Sequence, residues 1–485
     1  MAYKPVIGLE IHIELDTKTK VFCSCLNNPE EKNPNSNICP ICFGHPGVLP
    51  TINEEAIKKV IKTGLALNCE VSKNSKFDRK NYFYPDLAKG YQISQNDKPL
   101  VFNGYLNILN EQGESKKVRI KRIHLEEDTG KLIHEKDCSL VDFNRSGLPL
   151  MELVTEPDIS SAKEARKFAE ELHLIMHYLN VSDADMEKGQ MRVEVNVSLS
   201  KDSSVLGTRV EIKNLNSFRS VERAVNYEIE RQTAILESGE KIVQETRGFD
   251  DKEAITFSQR EKEEAHDYRY FPEPDLPFFE LVQDDFIEKI KIEIPELPQS
   301  KRERLKKEYK LSDKEVENFV YDKELGYYFE KVISELEPNL SKEKLGSLIK
   351  LSANYLITDL KGLLKGKSVS DKDFLITPEN FAEFIGLLEQ GEISSKSAKI
   401  VLLEMFETGG DPSNIIEEKN LTQIVDEDEI EKIVKEAIKN NPKPVEDYKS
   451  GKEAALKFLV GQIMAKTQGK AGPETVTRLL KENLN

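Results

Sequence analysis

The chain has 485 residues, 38% apolar and 32% charged, with no Trp and a formal net charge of −16. That length exceeds what one compact core organises and implies two or three domains. The acidic balance argues against a dedicated nucleic-acid binder, although a local basic patch could hold an RNA substrate transiently.

Met1–Glu14 carries charges at Lys4, Glu10 and Glu14 and lacks the apolar stretch of a secretory signal. No apolar run approaches the roughly 18 residues a membrane span needs, so a soluble, cytoplasmic protein is expected. Within this segment, Val6–Leu15 alternates as a strand does. Leu9, Ile11, Ile13 and Leu15 fall on one face and Glu10, His12 and Glu14 on the other. Same-face neighbours on a strand lie about 7 Å apart, so this face offers two carboxylates and an imidazole for a shared ion. The competing reading is the solvated face of an edge strand.

Cys23-x-Cys25 and Cys39-x-x-Cys42 follow, separated by thirteen residues. Paired close cysteines around a short excursion match a tetrahedral Zn²⁺ knuckle, and four thiolates would leave no open position, so the role expected is structural. Cys69 and Cys138 read as ordinary buried or partly buried residues. Glu54–Leu67 has helical period after Asn53, a good N-cap.

Phe77–Asp86 and Lys89–Gln95 interleave cations with aromatics, a mix that suits phosphate contact plus stacking on a base or RNA end. Aromatics packed beneath a charged surface are the alternative. Asp267–Pro272 repeats the mix. Gly104–Leu109 and Val118–Ile123 read as strands, and His124–Lys131 brings Glu126, Glu127 and Asp128 together. Three adjacent carboxylates cost little in water but require a cation inside a cleft. In Leu148–Val154, Glu152 stands alone in an apolar run, so it needs a metal, a raised pKa or a cation, with Arg145 the local candidate. These scattered oxygen ligands suit Mg²⁺, which takes few carboxylates and bridges to phosphate. His12 would act through water or favour Mn²⁺.

Ser161–Tyr178 and Val221–Ser238 have helical period, the second with Val225, Ile229 and Ile235 inward and Gly239 as its stop. Met191–Leu199 and Thr208–Ile212 read as strands. Prolines 272, 274, 277, 295 and 298 punctuate the next segment and place a domain boundary near residue 296. Beyond it the pattern is almost wholly helical, with a second break at Gly409-Gly410-Asp411-Pro412. From Glu446 to Asn485 there are seven Lys/Arg against five Asp/Glu, a local reversal of sign. Gly362–Ser368 imitates a phosphate-binding P-loop but is one residue short between the glycines and follows a helical stretch, so it is rejected.

Over nearly its whole length the chain resembles the GatB family of tRNA-dependent amidotransferase subunits. The resemblance rests on Val6–His12, Phe77–Asp86, Gly90–Gln95, His124–Lys131, Leu140–Asp158, Glu211–Phe218 and Asp267–Asp275. In the tail it rests on Ser394–Lys396, Val445–Tyr448 and Phe458–Met464. It implies an α+β fold: a cradle domain around an antiparallel sheet (1–295, with the zinc knuckle at 23–42), a helical domain (296–410) and a small all-α YqeY-like tail domain (411–485).

The resemblance also implies the chemistry. ATP phosphorylates the side-chain carboxylate of Glu or Asp on a mischarged tRNA, and ammonia then displaces phosphate. The amidase subunit GatA supplies the ammonia through a channel, and the small subunit GatC braces a heterotrimer. Glu10, His12, Glu126 and Glu152 would hold Mg²⁺, with the choice between Glu126 and Glu127 open. Expected substrate contacts are Arg79, Lys80, Tyr82, Tyr84 and Tyr91, with Arg145, Arg192, Asn196, Lys213 and Asn214 from the matching strings. One departure stands out. The family pattern Arg-x-Asp-x-Asn-x-Ser reads Arg192 to Ser198 here with Glu194 in place of Asp, which moves the carboxylate out by about one methylene.

Overall fold

The computed structural model describes residues 3–201, 205–261, 267–281, 285–336, 341–423, 427–467 and 470–484. They form two compact units, Met1–Pro298 and Gln299–Asn485.

The first unit begins with β1 (Lys4–Glu14), α1 (Glu54–Ala66), β2 (Glu70–Val71), β3 (Asn74–Ser75), β4 (Asp78–Asn81) and β5 (Tyr91–Ser94). It continues with β6 (Val101–Leu109), β7 (Ser115–Glu127), β8 (Lys131–His134), β9 (Ser139–Asp142), β10 (Pro149–Thr155) and α2 (Ala162–Leu179). Then come β11 (Met191–Ser200), β12 (Val210–Leu215), α3 (Phe218–Glu237), β13 (Glu245–Asp250), β14 (Ile255–Glu261), β15 (Phe271–Pro272), β16 (Phe279–Glu280) and α4 (Phe286–Ile292).

Nine strands make one sheet in the order β14-β13-β12-β11-β1-β10-β7-β6-β2. β1 is therefore central, paired with both β10 and β11, which overturns the edge-strand reading. The sheet is antiparallel as expected except at β12 and β13, which run parallel. The reason is the connection: α3 intervenes, and a helical crossover returns the chain in the same direction where a tight turn would reverse it.

Alternation along the central strands sorts the side chains. Leu9, Ile11, Ile13, Ile123, Leu125, Met151, Leu153, Val193, Val195 and Val197 are all essentially buried. They join α1, α2 and α3 in one core. Each such side chain contributes about 1.5–3 kcal/mol on burial, which holds the register and so fixes which residues occupy the opposite face. α1 is capped as the sequence implies, and α2 starts one residue later than its period suggests, with Ser161 as its cap. Asn53 caps α1 through the Glu55 and Ala56 amides, and Ser161 caps α2 through the Glu164 amide. α3 differs from expectation in its inward face. Glu228 and Gln232 are fully buried beside Val221 and Val225, whereas Ile229 is only partly covered. Arg231, Arg247 and Thr256 bind the Glu228 carboxylate and make its burial tolerable. Cys69 is buried, but Cys138, in the β8–β9 turn, is exposed.

The regular elements described in the second unit are all helices. It contains α5 (Pro298–Tyr309), which opens at the boundary, α6 (Asp313–Tyr321), α7 (Lys323–Ser334), α8 (Lys342–Tyr355), α9 (Lys361–Leu364), α10 (Pro378–Glu389) and α11 (Ser395–Thr408). It ends with α12 (Pro412–Glu418), α13 (Glu427–Asn440), α14 (Pro442–Lys449), α15 (Glu453–Lys466) and α16 (Pro473–Leu484). Phe319 stacks on Phe329 at 4.3 Å in one core, and Ile430, Val434, Leu459, Ile463, Val476 and Leu480 form another. A π-helical turn, Leu356–Leu360, joins α8 to α9. The rejected P-loop string is the end of α9, where Lys365 and Gly366 take left-handed backbone. Among the described residues no helix is long and apolar enough to cross a membrane.

Candidate active site

The polar face of the sheet is assembled by register. His12 on β1 lies opposite Glu152 on β10 and Arg192 on β11. Glu152 in turn lies opposite His124 on β7. The neighbouring rung puts Glu10 opposite Glu194, and Asn196 lies opposite Glu211 on β12. Residues far apart in sequence thus form a row because the alternating apolar neighbours hold each strand in the core.

The side chains meet closely. His12 Nε2 is 3.4 Å from Glu152 Oε2 and 3.6 Å from Glu126 Oε1. His124 Nε2 is 3.4 Å from Glu152 Oε2 and 3.7 Å from Glu126 Oε2. Ser94 donates to Glu126 at 3.0 Å, and Arg122 stands 4.0 Å from Glu152. His124, Glu126 and Glu152 are buried. Glu152 therefore takes its partners from His12 and His124. Arg145, the partner expected from sequence, instead binds Glu14 and Asp128, and Arg192 also binds Asp128, at 3.1 Å.

The electrostatics follow from this packing. Burial opposes a charge on His12, but the Glu152 hydrogen bond and the Glu152, Glu126 and Glu194 charges outweigh it and raise the imidazole to about 9. Burial, then the Glu152 and Glu194 charges, push Glu10 up to about 7. Burial also disfavours ionised Glu152, yet His124, His12 and Lys80 hold it below the ordinary carboxylate range. Glu126 is lowered likewise, by Lys80, His124 and His12 against its own burial.

Glu126 and Glu127 are successive strand residues and point to opposite faces. Glu126 faces the two imidazoles. Glu127 accepts from Lys89 at 2.6 Å and from the Ile93 amide at 2.8 Å. Glu194 accepts from Lys213 at 2.8 Å, and Lys213 is also 3.7 Å from Glu211, so the longer acid is neutralised by a lysine beside Glu10. Asn196 keeps a buried Oδ1 without a partner. Asn214 is exposed with φ 64°, at an irregularity between β11 and β12 that swings it off the row.

The aromatic-basic segment divides. Lys80 enters the site, with the Glu126 and Glu152 charges raising its ammonium well above its usual range against the effect of burial, and with its Nζ 5.2 Å over the Tyr268 ring. Tyr82 packs edge-on to Tyr268. Arg79 turns away, forked onto Glu273 at 2.7 and 2.8 Å and stacked 4.2 Å over Tyr91. Tyr84 is exposed. Sequence reasoning missed His124, Glu211 and Arg122 as members of this face. For the first two the signal was present: each stands two residues before a singled-out polar neighbour, Glu126 and Lys213.

The ligand atoms of Glu10, His12 and Glu152 lie within 4.8 Å of one another, as do those of His124, Glu126 and Glu152 and those of Glu10, Glu194 and Glu211. Carboxylate oxygens with imidazole nitrogens fit a divalent cation of the Mg²⁺ or Mn²⁺ kind. Apart from this row, the sulfurs of Cys23, Cys25, Cys39 and Cys42 also fall within 4.8 Å of one another. Cys42 accepts from the Cys39 amide at 3.2 Å. Hydrogen bonding from Cys23 and the nearby Lys20 ammonium lower the Cys42 thiol, against its burial. Four converging sulfurs fit one tetrahedral ion.

Residues 5–288 match the family model described as the GatB/GatE catalytic domain, and residues 328–484 match that described as the GatB domain. The chain is 51% identical over 486 residues to the aspartyl/glutamyl-tRNA(Asn/Gln) amidotransferase B-subunit of Persephonella marina, covering 100% of each. It is 50% identical over 491 residues to the protein of the same name from Thermotoga maritima, covering 100% of this chain and 99% of the relative. The namesake from Caldicellulosiruptor bescii is 50% identical over 490 residues, with the same coverage. Matches that run through both the sheet and the helices, with about half of all positions identical along the full length, mean that the chain belongs to the GatB/GatE family of amidotransferase subunits.

Proposed function

We propose that this chain is the subunit that activates a mischarged tRNA. It would phosphorylate the side-chain carboxylate of Glu-tRNA(Gln) or Asp-tRNA(Asn) with ATP and then accept ammonia to form the amide. It would do so in the cytoplasm as part of a heterotrimer with a glutaminase subunit, GatA, and a small bracing subunit, GatC. The observation that supports this reading is the row His12–Glu152–His124 with Glu10 and Glu126 beside it.

Glu10, His12, Glu126 and Glu152 would hold Mg²⁺. Bound there, the ion would supply positive charge against the phosphate oxygens of the nucleotide. The protein's own residues do the rest. A carboxylate is a poor electrophile because hydroxide or oxide is a poor leaving group, so making an acyl phosphate is the costly step. Positioning and electrostatic stabilisation carry most of phosphoryl transfer. Lys80, the cation that enters the site from β4, would pair with a phosphate oxygen, and Tyr82 would flank it. Arg192, Asn196 and Lys213 line the same face on the other side of β1 and would orient the acceptor end. Arg79 is engaged with Glu273 and Tyr91, and Arg145 with Glu14 and Asp128, while Tyr84 is exposed; these four, Tyr91 included, would contact the substrate away from the row. Burial excludes water, which would otherwise hydrolyse the acyl phosphate and protonate ammonia. The four cysteines would carry a structural Zn²⁺.

The test is transamidation by the assembled subunits. Glu152→Ala should abolish ATP-dependent conversion of Glu-tRNA(Gln) and Asp-tRNA(Asn), lowering the rate by more than about 10²-fold, while glutamine hydrolysis by the partner continues. Undiminished transamidation would refute the assignment.

A further inference from the structure

We infer that Lys20 is the built-in counter-charge of the four-cysteine site and positions Cys42 as a ligand. The inference rests on reading that site as a metal knuckle. Lys20 is fully buried. A buried ammonium is costly unless an anion compensates it, and among the described residues no carboxylate pairs with it. Its Nζ has two neighbours instead: it donates to the Asn37 carbonyl at 2.9 Å and points to Cys42 Sγ at 3.7 Å.

A carbonyl dipole alone does not neutralise a cation. Four neutral thiols would leave Lys20 stranded. Four thiolates around a dication carry a net charge of −2 and meet the requirement. The burial of Lys20 thus argues independently that the sulfurs work as an anionic metal site and not as a thiol cluster. The Lys20 Nζ–H toward sulfur is also the kind of outer contact that orients a thiolate.

The surroundings hold the lysine in place. Its stem passes Gly147, where a Cβ would lie 3.4 Å from Cys42 Cβ and 3.6 Å from Lys20 Cδ, at a φ of +84° that favours glycine. Ser146 donates to the Cys42 carbonyl at 3.0 Å, and Val21 N donates to the Gly147 carbonyl at 2.9 Å. Asn144 accepts from the Asn37 amide at 2.9 Å. Lys20 therefore sits at the joint between the knuckle and the 144–148 turn that leads into β10.

The experiment is metal release from the zinc-loaded full-length chain, followed with a chromogenic chelator. Lys20→Met should release zinc about tenfold faster than the parent or more. Lys20→Gln, which keeps a donor for the Asn37 carbonyl, should do the same. If either variant folds only when zinc is supplied in excess, that too supports the proposal. The control is Cys25→His, which keeps four ligands but lowers the anionic charge by one. In that background Lys20→Met should cost clearly less than in the parent. An unchanged release rate in both lysine variants would overturn the proposal. So would an equal cost in the two backgrounds, which would mark Lys20 as mere packing. Zinc that never binds the parent chain would instead defeat the reading of the knuckle itself.

Discussion

His12 on β1 and His124 on β7 are separated by a whole strand, yet both direct Nε2 at the same atom, Glu152 Oε2, at 3.4 Å each. One carboxylate on the intervening strand β10 thereby links two imidazoles, and Glu126 closes the group within 3.7 Å of both. The arrangement follows from the sheet order β1-β10-β7 and from one shared face.

His124 should matter for stability as well as for the site. His124→Phe leaves Glu126 and Glu152 buried with one partner fewer, at a cost of about 1–3 kcal/mol. Urea denaturation in divalent-free buffer should show that loss, and saturating Mn²⁺ should recover part of it. A variant as stable as the parent would show that His12 alone suffices.

Glu126 and Glu127 should separate cleanly. Glu126→Gln should weaken Mn²⁺ binding, measured by calorimetric titration, by about tenfold or more. Glu127→Gln should leave that affinity unchanged but loosen the Lys89 and Ile93 contacts, costing about 1–3 kcal/mol of stability. The reverse pattern would exchange their roles.

Arg145→Met should unfold the protein more readily instead of raising the KM for tRNA alone. It strands Glu14 and Asp128, and breaking a buried ionic network typically costs about 3–5 kcal/mol. Lysine should rescue in part, because both carboxylates are reached from the single Nη2 and an ammonium also carries donors for two acceptors. Full stability with only a higher KM would make Arg145 a substrate contact.

His173 predicts an acid-side loss of stability. Burial, then the neighbouring His177, lower its pKa from 6.5 to about 4. Between those values the unfolded chain binds the proton and the folded chain does not. Stability from this group is therefore present above about pH 6.5, falls as pH drops toward 4, and falls no further below it. In His173→Phe the denaturation midpoint should depend less steeply on pH across that window. An identical slope would disprove the assignment.

The sequence by itself determined the strand faces, the helix caps, the cysteine cluster and the passage from sheet to helices. Each depends on local periodicity, on side chains that satisfy their own backbone, or on ligands within twenty residues of one another. Alternation put Glu10 with His12, and it held enough to have put His124 with Glu126. Only the tertiary structure decided that β1 is central, that Glu152 belongs to two histidines and not to Arg145, and that Glu127 turns to Lys89. Those facts depend on which strands become neighbours and in what register. The burial of apolar side chains across the whole sheet sets both, and no segment carries that information alone.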